Sequence, residues 1–316
     1  MIKQLSIAAA LCASTLAQAA NPVVTNMFTA DPAALVDKGR VYLYVGRDEA
    51  PEGGKDYVMN EWRVYSSCDM QKWTDHGPGL RYSAFAWAGR DAWASDVVKR
   101  DGKFYFYSTV DHKTIPGKAI GVAVSDSPTG PFIDARGTAL VTNDMTKQTD
   151  ILWDDIDPGV FVDDDGQAWI YWGNTVMKYA KLKRNMTELD GPILSHDIAS
   201  FTEAPYVHKR QGVYYLSYSR YFPEETVYAT SKSPAGPWQF GGVIMEKNVG
   251  VKTIHQAIID FNGKSYIFYH NAKLPGGGEF RRSVAVEELH YNADGSIRPV
   301  AQTAAGPARN PSPGCK

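Results

Sequence analysis

Asp155-Ile-Asp-Pro-Gly-Val-Phe-Val-Asp-Asp-Asp-Gly166, continued by Gln167-Ala-Trp-Ile-Tyr-Trp-Gly173, reads as an acidic strand entry, a short apolar strand, an acidic Gly turn and an aromatic strand returning. Asp and Gly tolerate the positive φ that tight hairpin turns require. Val160-Phe-Val162 and Ala168-Trp-Ile-Tyr-Trp172 are rich in β-branched and aromatic residues, as strands are. The unit occurs five times, its other copies turning at Lys38-Gly39, Asp101-Gly102, Gln211-Gly212 and Asn262-Gly263. Further strand-like runs complete each copy, such as Glu61-Trp-Arg-Val-Tyr65 in the first and Ile120-Gly-Val-Ala-Val124 in the second. Strand repeats of about 40–65 residues point to a propeller. Five four-stranded units predict an all-β chain, a five-bladed β-propeller forming a single domain over residues 20–316, with no linker and no long amphipathic helix.

Residues 1–19 read as a signal peptide. Lys3 supplies the positive start, Leu5 to Leu16 the apolar run, and Ala17-Gln-Ala19 a small-residue cleavage site. Leu11 directly before Cys12 does not suit a lipoprotein cleavage site, so the chain is expected to be freely exported, to the periplasm or the medium. The mature chain keeps Cys68 and Cys315, which either pair and tie the C-terminus to an early strand or remain two thiols. Net charge is −2 without a basic run, which argues against nucleic acid or a membrane surface as partner; a monomer is expected. Eight Trp and eighteen Tyr suit both an all-β core and a surface on which sugar rings stack.

Aligning the copies on Gly39, Gly102, Gly166, Gly212 and Gly263 and counting back eight or nine residues reaches Asp31, Trp93, Asp157, Glu203 and His255. Equivalent positions at the start of each innermost strand face the axis at one end, so these five side chains are expected at a single mouth. Taken singly, each has an ordinary explanation. Asp before Pro starts turns, Glu203 suits a solvated strand end, a lone Trp suits a core, and a lone His suits a satisfied hydrogen bond. Their shared repeat phase singles them out. Clustered carboxyls raise one another's pKa, and burial adds to it. That is unfavourable for stability and useful for acid–base chemistry.

At these residues the chain resembles glycoside hydrolase family 43, whose members are five-bladed propellers, over essentially all of its mature length. Ala30-Asp31-Pro32 matches the family's base motif, Asp155-Ile-Asp157-Pro-Gly159 its central aspartate motif, and Thr202-Glu203-Ala-Pro205 its acid motif. The resemblance implies Asp31 as general base, Glu203 as general acid, and Asp157 as the residue that tunes and orients the acid. It implies Trp93, in Trp93-Ala-Ser-Asp96, as a wall of the sugar pocket, with Ser95 departing from the family's Pro in that wall. It also implies a sugar-contacting arginine, aligned best with Arg282 and alternatively with Arg281. His255 resembles an axial histidine that in some relatives lies near a bound calcium or its water shell, or one with a purely structural role. No cofactor is implied for the chemistry, beyond a structural calcium on the axis.

The implied reaction is inverting hydrolysis in one displacement. The expected activity is an exo-acting α-L-arabinofuranosidase that trims arabinose branches from arabinan or arabinoxylan. The inserts Arg81 to Gly89 and Asp144 to Trp153 are expected to rim a closed pocket. β-Xylosidase and endo-arabinanase are the alternatives within the family. A non-catalytic carbohydrate-binding propeller is the alternative outside it, but it would have no reason to keep all three carboxyls in phase.

Overall fold

The computed structural model describes residues 20–248 and 250–315; the predicted signal peptide, residues 1–19, lies outside them. The chain forms five antiparallel sheets, each starting at the axis and stepping outward. Blade 1 comprises β1 (Thr29–Asp37), β2 (Arg40–Arg47), β3 (Glu61–Ser67) and β4 (Trp73–Arg81). In blade 2, β5 (Ala88–Arg90), β6 (Ser95–Arg100), β7 (Lys103–His112), β8 (Lys118–Ser125), β9 (Ile133–Asp134) and β10 (Val141–Thr142) share one sheet, with β6 innermost. Blade 3 holds β11 (Gly159–Val162), β12 (Ala168–Trp172), β13 (Met177–Leu182) and β14 (Leu194–His196). Blade 4 holds β15 (Phe201–Arg210), β16 (Val213–Arg220), β17 (Glu225–Ser231) and β18 (Gln239–Met245). Blade 5 holds β19 (Ala257–Phe261), β20 (Lys264–Asn271) and β21 (Ser283–Leu289).

Burying both faces of every sheet explains the aromatic load. The core consists of five layers, one in each seam between neighbouring blades, rather than one central mass. Trp62, Tyr44 and Phe106 fill the seam of blades 1 and 2, and Tyr266 and Phe268 that of blades 5 and 1. The repeat glycines behave as read: Gly39, Gly102, Gly166, Gly212 and Gly263 all sit at φ between 73° and 82°, a region closed to most side chains.

Two expectations about the blades need correction. Blade 5 has three strands among the described residues, not four. The stretch expected to supply its fourth, Leu289 to Gly295, turns back at once, because Gly295 N–H closes a turn on the Asn292 carbonyl. The N-terminal segment runs beside β21 instead: Val23 N–H donates to Val284 O, and Asn21 bonds both N–H and C=O of Val286. Blade 2 exceeds four strands because the inserts flanking its core strands pair onto β7 and β8.

The C-terminal tail fastens the same seam from below. Asn310 donates to the Tyr266 hydroxyl in blade 5 and to Asp69 O, beyond β3 of blade 1. Cys68 and Cys315 are joined in a disulfide, with their Cα atoms 5.7 Å apart, so the pairing left open by the sequence is made.

Candidate active site

A pocket of about 410 Å³ opens at the axial end where the innermost strands begin. Asp31, Trp93, Asp157 and Glu203 line it, and His255 lies behind Asp157, its Nδ1 3.6 Å from Asp157 Oδ2. The five phase-related residues therefore gather as the repeat requires. Local backbone irregularity aims them. The β1–β2 register breaks between Ala30 and Ala33, and the β15–β16 register breaks on either side of Glu203. Asp31 and Asp157 sit at φ 51° and 60°, and Ala204 beside the glutamate at 57°. Bulges and left-handed residues cost stability, on the order of 1–3 kcal/mol each, and cluster where side chains must be re-aimed.

Asp31 is held in a cationic cradle. Arg282 Nη1 donates to Asp31 Oδ1 at 2.8 Å, and the guanidinium is itself locked by Asp48, Nε to Oδ2 at 2.9 Å and Nη2 to Oδ1 at 3.0 Å. Of the two arginines, Arg282 meets the carboxylate and lines the pocket, whereas Arg281 lies over the Phe28 ring. His270, fully buried, donates Nε2–H to Thr253 O, which leaves Nδ1 to accept the Asp31 N–H. Burial alone would raise the Asp31 carboxyl, but the Arg282 guanidinium beside it outweighs burial and holds it far below the usual carboxylate range. Asp31 is ionised at any ordinary pH.

Glu203 is in the opposite state. Burial, reinforced by the charge of Asp157, pushes it up to about 8, although Asn174 Nδ2 donates to Glu203 Oε2 at 2.8 Å and favours the ionised form. Asp157 accepts the N–H of Ala204, the residue after Glu203, at 3.1 Å, so it fixes the Glu203 backbone as well as acting on its carboxyl. Burial works against a charged His255, yet Asp157, Asp31 and Glu203 together hold its pKa above the ordinary value.

Trp93 forms a wall with one face occupied: Lys118 Nζ lies 3.4 Å from the ring centroid, where Asp111 also holds it. The Trp93 indole N–H is buried and has no hydrogen-bond partner among the described residues. Ser95 is buried in β6 opposite Ser108 and does not line the pocket, so the departure from the family segment falls beside the wall. Asp96 is buried and accepts N–H groups of Val97 and Val160, tying blade 2 to blade 3; burial pushes it up to about 6.

Of the two inserts expected at the rim, one reaches it. Trp153 lines the mouth, anchored by a buried network in which Lys178 Nζ meets Asp154 and Asp155 at 2.8 and 3.4 Å. The segment from Arg81 to Gly89 turns into the seam of blades 1 and 2, because Phe85 is fully buried there. For the axial calcium, no group of three or more His, Cys, Asp or Glu side chains is placed to hold a metal among the described residues. A calcium beside His255 would therefore have to draw its remaining ligands from water or backbone oxygens, and no step below runs through one.

Sequence reading missed Asp48, His270, Asn174 and Glu224. None shares the repeat phase; each arrives from a strand end or loop of another register. Glu224 is fully desolvated but for 2 % of its surface, lines the pocket, and accepts Ile254 N–H at 2.7 Å. Burial and then Glu203 push its carboxyl well above the usual range.

One ionised and one protonated carboxyl on an axial pocket, beside an aromatic wall, mark a propeller hydrolase of glycosidic bonds. The chain belongs to the glycosyl hydrolases family 43, whose family model matches residues 19–297. It is 33% identical to the xylosidase/arabinosidase 43A of Humicola insolens, over 87% of this chain and 98% of that protein. It is also 33% identical to an arabinoxylan arabinofuranohydrolase of Bacillus subtilis, over 90% of this chain and 65% of the relative. A family 43 β-xylosidase/α-arabinofuranosidase from a compost metagenome, solved with xylotriose in a calcium-free form, superposes with a TM-score of 0.79 at 34% identity, covering 89% of this chain and 96% of that one. Family 43 chemistry requires no cofactor.

Proposed function

We propose that this glycoside hydrolase is an inverting, exo-acting α-L-arabinofuranosidase that removes arabinose branches from arabinan or arabinoxylan. The observation that carries the reaction is the opposite protonation of Asp31 and Glu203 on one pocket. Asp31 takes a proton from the water that attacks the anomeric carbon. Glu203 gives its proton to the departing glycosidic oxygen as that bond breaks. Arg282 keeps the base ionised, and burial together with Asp157 keeps the acid protonated. The exo reading is supported by the pocket of about 410 Å³ at the end of the axis, with Trp153 over its mouth. An endo-arabinanase would need a cleft open at both ends.

Arabinose as product is supported by the arabinoxylan arabinofuranohydrolase among the relatives. β-Xylosidase is the second reading, favoured by the xylotriose held by a solved relative. The Cys68–Cys315 disulfide supports export into an oxidising compartment, periplasm or medium.

The test is release of free sugar from 4-nitrophenyl α-L-arabinofuranoside, the β-D-xyloside, arabinan and arabinoxylan, with the product anomer followed by NMR. Arabinose from branched polymers, appearing with inverted configuration, is the expected result. Xylose release would move the enzyme to the second reading, and a retained configuration would remove Asp31 from the role of base.

A further inference from the structure

A glycosidic leaving group departs on the side of its proton donor, because the donor must reach the linking oxygen. Glu203 lies on blade 4, so on the reading above the remainder of a cleaved chain passes over that blade. Its surface carries aromatic rings. Tyr221, next in sequence to Phe222 at the pocket wall, and Phe240 on β18 are 56% and 52% exposed. Single exposed aromatic residues are ordinary, and exposure alone decides nothing.

These two rings are braced. The Arg220 guanidinium lies 4.9 Å from the Tyr221 ring centroid and 4.8 Å from that of Phe240, and Glu225 on the adjoining strand holds it by a hydrogen bond from Nε. Thr202 Oγ1, next to Glu203, donates to Tyr221 O at 2.8 Å and so ties the platform to the acid's own strand. Tyr221 is kept at φ 64°, a conformation rare for a bulky residue and retained only where the surroundings impose it. Phe240 also borders a groove of about 770 Å³ on the outer edge of blade 4, where Trp238 and Tyr228 add further aromatic lining.

We propose that Tyr221 and Phe240, braced by Arg220, form an acceptor-side platform that binds the polysaccharide backbone beyond the scissile bond. Pyranose rings, with apolar C–H faces and polar edges, are the ligand class that flat amphipathic surfaces of this kind take. Continuity with the pocket, on the acid's side of it, favours the substrate's own backbone as the occupant.

The test compares the full mature chain with Tyr221→Asn/Phe240→Ala, Asn being chosen because it accepts a left-handed φ; Phe240→Ala alone is the second variant. On arabinoxylan, kcat/KM is expected to fall about fivefold to tenfold in the double variant, while the aryl arabinofuranoside stays within about twofold. In native gels cast with arabinoxylan, the parent protein is expected to be retarded and the double variant to run free. Equal retardation of both proteins, or an equal loss on polymer and aryl substrate, would overturn the platform. If the parent protein turned over neither substrate, the activity assigned above would fall, and gel retardation would still decide the platform.

Discussion

His270 and Glu224 grip opposite ends of one peptide group. The carbonyl of Thr253 accepts His270 Nε2–H at 3.0 Å, and the N–H of Ile254, in the same amide plane, donates to Glu224 at 2.7 Å. His270 reaches on to the backbone of Asp31, and Glu224 lies in the field of Glu203. The Asp31 backbone and the Glu224 carboxyl are therefore tied, through His270 and directly, to a single amide.

Gln keeps the shape of Glu224 and an oxygen that accepts the Ile254 N–H. Glu224→Gln is expected to keep kcat within about threefold, whereas Glu224→Ala leaves Ile254 N–H unpaired, costing about 1–3 kcal/mol of stability and lowering kcat with it. Rescue of kcat by Gln, read beside denaturant unfolding, checks the assignment; equal losses in both variants would refute it.

Glu203→Ala is expected to lower turnover of arabinan or arabinoxylan by about two to four orders of magnitude, while sparing aryl glycosides whose leaving groups need no proton. Asp31→Ala should disable both, since attack by water precedes any leaving-group question. Steady-state kinetics on the two substrate types separates these outcomes.

The general acid works only while protonated, so kcat/KM should fall as pH rises through about 8, the value to which burial and Asp157 push Glu203. Asp157→Asn removes that charge and should move the alkaline limb to lower pH. A pH–rate profile of the variant checks the direction, and an unmoved or raised limb would contradict it.

The base works only while ionised, and Arg282 is the strongest influence lowering Asp31 against its burial. In Arg282→Gln, burial is less opposed, so the Asp31 pKa rises and the acid limb of kcat/KM should move to higher pH. The parent enzyme should show no such limb down to the pH at which it unfolds.

The disulfide closes a loop of sequence separation 247 far from the pocket. Cys68→Ser/Cys315→Ser is expected to lose about 2–5 kcal/mol of unfolding free energy with kcat unchanged. Chemical unfolding with and without reductant measures it.

Repeat phase made the fold and the pocket's first layer legible, because Asp31, Trp93, Asp157 and Glu203 occupy equivalent points of equivalent strands. Asp48 and His270 were invisible to that logic. Asp48 follows β2 in Asp31's own blade and His270 lies near the end of β20, and the lateral packing of blades 5 and 1 brings His270 to Asp31 and Arg282 to both aspartates. The insert Arg81–Gly89 misled because its aromatic residues resemble a rim, while Phe85 had a seam to fill. The missing strand of blade 5 has the same origin. Strand-like residues in Leu289–Gly295 could not outweigh the Asn292–Gly295 turn, and the outer place went to a segment more than 260 positions earlier.

Closure of the ring by both ends of the chain also sets the order in which the enzyme comes into being. Asp31 emerges from the ribosome 251 positions ahead of Arg282. Contacts of such long range are the slow ones in folding. Until blade 5 docks, the aspartate has no guanidinium beside it and no His270 behind it. A growing or truncated chain is thus hydrolytically silent, and the capacity to cut sugar arises in one late event, when the last blade meets the first.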